Sequence, residues 1–217
     1  MKDQIRQNIQ KSINTKEMML SCDQLVSEIQ NLTHICISTI QNNRKIILIG
    51  NGGSAADAQH LAAEFITRLN FDRPCIPAIA LSTDTSVLTA IGNDYSFEDI
   101  FSRQIEAIGN HNDLLIAIST SGNSTNIVKA AQLAQKKEIR FASFCGFIGG
   151  IAPDIDILIQ SDSNPLLFIE YHRHFTHSLN VKCCYTYSII FIISQTSNSI
   201  FVSITTHQHI IFQYFNT

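Results

Sequence analysis

The stretch from Lys45 to Glu64 constrains the fold more than any other part of the chain. Lys45-Ile46-Ile47-Leu48-Ile49 is an apolar run of strand length; it breaks at Gly50-Asn51-Gly52-Gly53, and an alanine-rich segment at helical spacing follows at once. Strand, glycine turn and helix is the unit this predicts. Three glycines among four residues let the chain turn sharply and leave room for a ligand against the backbone. The Ser54 hydroxyl and the first free helix amides then face that ligand. A helix start carries partial positive charge, so an anion or an oxygen-rich molecule suits the position. His60 and Glu64, four residues apart, share a helix face, where an imidazole and a carboxylate hold a divalent metal, move protons, or simply form a surface pair.

The same unit recurs downstream. Asp113 to Ile118 reads as a strand, Ser119-Thr120-Ser121-Gly122-Asn123-Ser124 as a polar loop, and Thr125 to Lys136 as a helix. Hydroxyls and amides converging at a strand end and helix start are what a phosphate needs when no lysine is supplied; the plainer reading is a loop with a serine cap. Pro77 to Leu81, Arg140 to Phe144 and Ile155 to Ile159 complete a set of five strands. Ser82 to Thr85 caps a short helix toward Ala90, Gly92-Asn93-Asp94 interrupts it, and helical spacing resumes from Phe97 to Ile108. Asn93 and Asp94 suit sugar hydroxyls as well as ordinary turn chemistry.

Strands alternating with helices imply an α/β fold: a doubly wound, mostly parallel five-stranded sheet flanked by helices, with ligands beyond the carboxyl ends of the strands. Residues 3–42 read as an N-terminal helical hairpin, with Ile5, Ile9 and Ile13 as one stripe, a break at Ser21-Cys22-Asp23 with Ser21 as cap, and Leu25, Ile29, Leu32, Cys36 and Ile40 as the next. That stripe packs on the main domain or joins a second subunit. The division is residues 1–44 as helical segment, 45–178 as main domain and 179–217 as tail.

At 217 residues the chain is long enough for one such domain. The net charge of −3, with 15 Lys and Arg in no dense cluster, argues against a nucleic-acid surface. The first residues lack the apolar core of a secretory signal, and the six scattered cysteines fit reduced thiols, so a cytoplasmic location is expected.

Gly50-Asn-Gly-Gly-Ser-Ala-Ala-Asp-Ala-Gln-His60, then Leu88-Thr-Ala-Ile-Gly-Asn-Asp94, then Ala117-Ile-Ser-Thr-Ser-Gly-Asn-Ser124 resemble the phosphoheptose isomerases of the sugar isomerase (SIS) superfamily. The likeness is continuous from about Lys45 to Lys137. It implies isomerisation of sedoheptulose 7-phosphate to a manno-heptose 7-phosphate for bacterial surface polysaccharide, in a homotetramer whose active sites are shared between subunits. By position, Ser119, Thr120, Ser121 and Ser124 would hold the phosphate; Asn51, Gly52, Gly53, Asn93 and Asp94 would contact the sugar. Glu64 would be the base, and His60, Glu64 and His177 would ligate zinc, with His177 the second acid/base group. The alternative is a catalytically silent SIS module associating with a replication initiator.

The late part of the chain departs from the family's pattern. Where the family carries a glutamine metal ligand this sequence has Ile169, and where it carries an arginine, Leu167, although Glu170, His172 and His177 keep the spacing. Beyond His177 only Lys182 is charged, and the apolar run around Ile189-Ile190-Phe191-Ile192-Ile193 is too short and interrupted to span a bilayer. It reads as a β-prone, aggregation-prone segment, such as an altered reading frame near residue 165 would produce.

Overall fold

A computed structural model of the chain describes residues 1–67, 73–145, 157–160, 194–196, 199–206 and 209–215. Two helices open it, α1 (Lys2–Ser21) and α2 (Asp23–Gln41). The expected break falls where predicted, but Ser21 is not the cap. It is the last residue of α1, where its hydroxyl donates to the Met18 carbonyl, and extended Cys22 (φ −97°, ψ 90°) separates the helices.

Alternation then begins: β1 (Ile46–Gly50), α3 (Gly53–Ile66), β2 (Ala78–Ala80), α4 (Thr85–Asp94), a 3-10 turn (Phe97–Asp99), α5 (Ser102–Ile108), β3 (Leu114–Ser119), α6 (Thr125–Lys136), β4 (Arg140–Cys145) and β5 (Ile157–Gln160). The five strands form one parallel sheet in the order β2-β1-β3-β4-β5. Strands β6 (Ser194–Thr196), β7 (Ser199–Thr206) and β8 (His209–Phe215) form a separate antiparallel sheet.

Gly92 does not interrupt α4. The helix runs through it to Asp94, since a glycine in a helix interior costs only about 1 kcal/mol. Its start is as expected, with Asp84 accepting from the Val87 amide at 3.0 Å.

Strands β1 and β3 are buried throughout because both sheet faces are covered, which explains apolar runs in place of alternation. Ile46 and Leu48 pack with Leu114, Ile116 and Phe144 against Leu32, Cys36 and Ile40 of α2 and Leu61 and Phe65 of α3. Ile47 and Ile49 pack with Leu115 and Phe141 against Ile91, Ile105, Ile127 and Ala130 of α4, α5 and α6. Truncating one of these buried leucines, isoleucines or phenylalanines to alanine costs about 2–5 kcal/mol.

This division of helices positions the site. The chain leaves β1 over one face through α3 to reach β2 on one side, and leaves β3 over the other face through α6 to reach β4 on the opposite side, as right-handed crossovers require. Between the carboxyl ends of adjacent β1 and β3 the order reverses. A crevice opens at such a switch point.

Candidate functional site at the β1/β3 switch point

Both polar loops flagged in the sequence flank this crevice. After β1, Gly50 packs so tightly under the first turn of α3 that a Cβ there would meet the Ser54 carbonyl oxygen at 2.5 Å. Gly52 then caps α3 with φ 54° and ψ −121°, a conformation that costs a side-chain-bearing residue dearly, and no side chain caps the helix. After β3, the Ser119 hydroxyl accepts from the Gly122 amide and the Ser121 hydroxyl from the Asn123 amide, both at 3.2 Å. These bonds curl the loop beneath α6, whose start at Ser124 likewise has no side-chain cap. Two helix N-termini therefore present uncapped amides at one crevice, while α4 beside them is closed by Asp84.

The loops are joined by a pair the sequence did not disclose. Asn51 and Asn126 exchange reciprocal side-chain amide bonds, each 2.9 Å long. Asn126, in the first turn of α6, is only 3% exposed. Each amide keeps one donor hydrogen and one lone pair beyond the pair, so Asn51 can still meet a ligand. A polar residue early in a helix resembles any solvated position, and nothing in the spacing singles out Asn126.

Of the other candidates, Ser119 is buried, Thr120 and Ser121 are exposed, Ser124 is half-buried, and Gly52 and Gly53 are open. Asn93 and Asp94 stand exposed at the far end of α4, with the Asn93 amide donating to the Asp94 carboxylate at 2.8 Å.

Glu64 is not beside the crevice of its own protomer. It lies eleven residues beyond Gly53 on α3, ~16 Å down the helix axis. It sits near the amino edge of the sheet, where the adjoining Phe65 carbonyl accepts from Ile76 just ahead of β2. The expectation that Glu64 and the serine loop meet around one ligand is thus not met within a single chain. The His60–Glu64 pair does form, with Nε2 and Oε1 3.4 Å apart, His60 74% exposed and Glu64 21%.

One turn earlier on α3, half-buried Asp57 has its carboxyl pushed above the usual range by desolvation, partly offset by His60. His177, with Ile169, Glu170 and His172, lies outside the described residues. Among the described residues no group of three His, Cys, Asp or Glu is placed to hold a metal. The pair supplies two donors, short of the three protein ligands that catalytic zinc sites use, and the described residues therefore do not by themselves fit a zinc ion.

The comparisons with known proteins agree with this architecture. The family model described as SIS domain matches residues 13–146. A second, described as YdjM inner membrane protein, matches residues 122–216, less than half of the chain. Among the described residues no helix is long and apolar enough to cross a membrane.

The phosphoheptose isomerase of Aneurinibacillus thermoaerophilus is 52% identical over 150 residues, covering 69% of this chain and 76% of that protein. That of Sulfurimonas denitrificans is 46% identical over 168 residues, covering 76% and 86%. The solved phosphoheptose isomerase from Neisseria gonorrhoeae superposes with a TM-score of 0.76 at 34% identity, over 84% of this chain and 97% of that one. The residues matched by the SIS domain model contain both loops and the helices they start. With the switch-point crevice, its two uncapped helix starts and these relatives in agreement, the chain belongs to the phosphoheptose isomerase family of SIS-domain proteins.

Proposed function

We propose that the protein interconverts sedoheptulose 7-phosphate and D-glycero-D-manno-heptose 7-phosphate, feeding heptose into bacterial surface polysaccharide. The supporting observation is the Asn51–Asn126 bridge, which fixes the two uncapped helix starts around one crevice in a chain whose relatives carry that name. The 7-phosphate lies on Ser119, Thr120, Ser121 and Ser124 and the α6 amides, which carry no opposing charge and so favour a dianion. The sugar extends along Asn51, Gly52 and Gly53 toward Asn93 and Asp94.

Isomerisation needs one base that serves both carbons. Glu64 removes a proton from C1 of the ketose; the C1–H electron pair becomes the C1=C2 double bond of an enediol as O2 takes a proton. Returning the carbon proton to C2 while O1 loses its own gives the aldose, with no net change in atoms or electrons. His177 is the group proposed to move the oxygen proton. Because Glu64 lies ~16 Å along its helix from its own crevice, the base for each site comes from a neighbouring subunit. Exposed Ile5, Ile9 and Ile13 on α1 offer an apolar stripe for such assembly, and a homotetramer with shared sites is the arrangement proposed. Zinc, where bound, would be held by His60 and Glu64 with His177 and would polarise a sugar oxygen; the proton transfers above do not depend on it. Cys22, Cys36, Cys75 and Cys145, none of them in a disulfide, fit a reducing cytoplasm.

The comparisons lend no support to a silent module that binds a replication initiator. Incubating the full chain with sedoheptulose 7-phosphate, with and without zinc, tests the enzyme reading: aldose product is expected, and no turnover in either condition overturns it.

A further inference from the structure

The opposite edge of the sheet carries a second cluster of anion-recognising groups that the isomerisation does not use. Asn42 and Arg44 precede β1, Asn112 precedes β3, and Arg140 opens β4, so adjacent parallel strands bring all four to the amino edge. With Ser38 of α2 they line a cleft of about 270 Å³. The turns that feed these strands each contain a left-handed residue, Asn43, Asn112 and Glu138, and these are the only non-glycine residues with positive φ among those described.

The charge in this cleft is unspent among the described residues. Among the described residues its lining contains two guanidinium groups and no carboxylate, and neither arginine forms an ion pair. Arg140 donates to the Thr39 hydroxyl at 2.6 Å and, more weakly, to Ser38 at 3.5 Å, and keeps a buried Nε–H without an acceptor. The nearest buried acid, Asp113, is already engaged: its carboxylate accepts from the Lys45 ammonium at 2.6 Å, the Lys45 amide at 3.0 Å and the Asn110 amide at 2.8 Å. Lys45 and Asp113 thus neutralise each other beside the cleft, and no other carboxylate among the described residues pairs with its two positive charges.

We infer that this cleft binds a small phosphate-class oxyanion, held by the Arg44 and Arg140 guanidiniums with Asn42, Asn112 and Ser38 as neutral donors. The six-residue strand β3 separates it from the serine loop by roughly 17–20 Å, so it is a second site and not an extension of the first. Its volume and its two arginines suit a phosphate group and not a polyanionic strand.

Inorganic phosphate titrated calorimetrically into the full-length protein, against chloride at matched ionic strength, tests this. Two phosphate sites per chain are expected. In Arg44→Gln one of them weakens by about tenfold or more, while the KM for the sugar phosphate stays within about twofold. Arg140→Lys, which keeps the charge but loses the planar fork, weakens the same site, and Ser121→Ala weakens only the other. A single phosphate site that survives Arg44→Gln, or binding that chloride reproduces, overturns the inference and leaves the isomerase reading untouched.

Discussion

The two loop-to-helix junctions at the switch point share a plan and differ in chemistry. The first, Gly50 to Gly53, is shaped by backbone: a glycine that cannot carry a Cβ, a glycine cap, and few side-chain groups. The second, Ser119 to Ser124, is shaped by hydroxyls that bond their own backbone while leaving a helix start open. Under the proposed function the difference divides the tasks. A backbone corner admits a polyhydroxylated chain lying close against it, and a hydroxyl-lined helix start holds a compact anion. The Asn51–Asn126 bridge ties the two junctions together, so under the proposed function the contributions of the two ends of a substrate are coupled.

Breaking the comparison starts with the group that belongs to neither junction. Glu64→Gln should lower kcat by about 10²–10⁴-fold with an unchanged circular dichroism spectrum, because it removes only the proposed base; full activity would remove Glu64 from the chemistry. Next comes the bridge. Asn126→Ala leaves Asn51 facing a buried gap and should cost about 1–3 kcal/mol in urea unfolding, with a fall in kcat/KM. The Asn51→Ala, Asn126→Ala double variant should be less destabilised than the sum of the singles, and strict additivity would mean that the junctions are independent.

Ser121→Ala probes the second junction alone and should raise KM by about tenfold with kcat little changed. An equal loss in kcat would mean that the loop also acts on the reacting carbons.

The smallest effect concerns Asp57. Its carboxyl is held above the usual range in the folded chain, so its favourable contribution is complete below the ordinary carboxylate range and is lost as pH rises through the raised value. Asp57→Asn should therefore raise Tm slightly at pH 7, and the gain should vanish in acid. Equal gains at both pH values would assign it to packing.

Much of this architecture was readable in the chain. The runs at Ile46 to Ile49, Leu114 to Ile118 and Arg140 to Phe144 became buried strands within a residue or two of the expected bounds, because a parallel sheet covered on both faces demands unbroken apolar text. Both polar loops fell at strand ends, as the alternation implied. What failed was local and steric: Gly92 is absorbed into α4, and Cys22 separates the first helices where Ser21 was expected as cap. Asn126 carried no signal, since its partner is 75 residues away and only the fold reveals the pairing. The remoteness of Glu64 could have been counted from the helical rise, but the motif placed it beside the loops in sequence and so, misleadingly, in space.

The central claim is that one sugar phosphate spans the crevice, with its phosphate on the serine loop and its base supplied by another copy of the chain. A crystal structure of the Glu64→Gln variant with bound sedoheptulose 7-phosphate tests it most directly. The account predicts phosphate oxygens at about 2.7–3.2 Å from donors of Ser119 to Ser124, with the substituted side chain of a neighbouring subunit beside C1 and C2. A phosphate held elsewhere with that loop empty, or no neighbouring α3 at the reacting carbons, would contradict it.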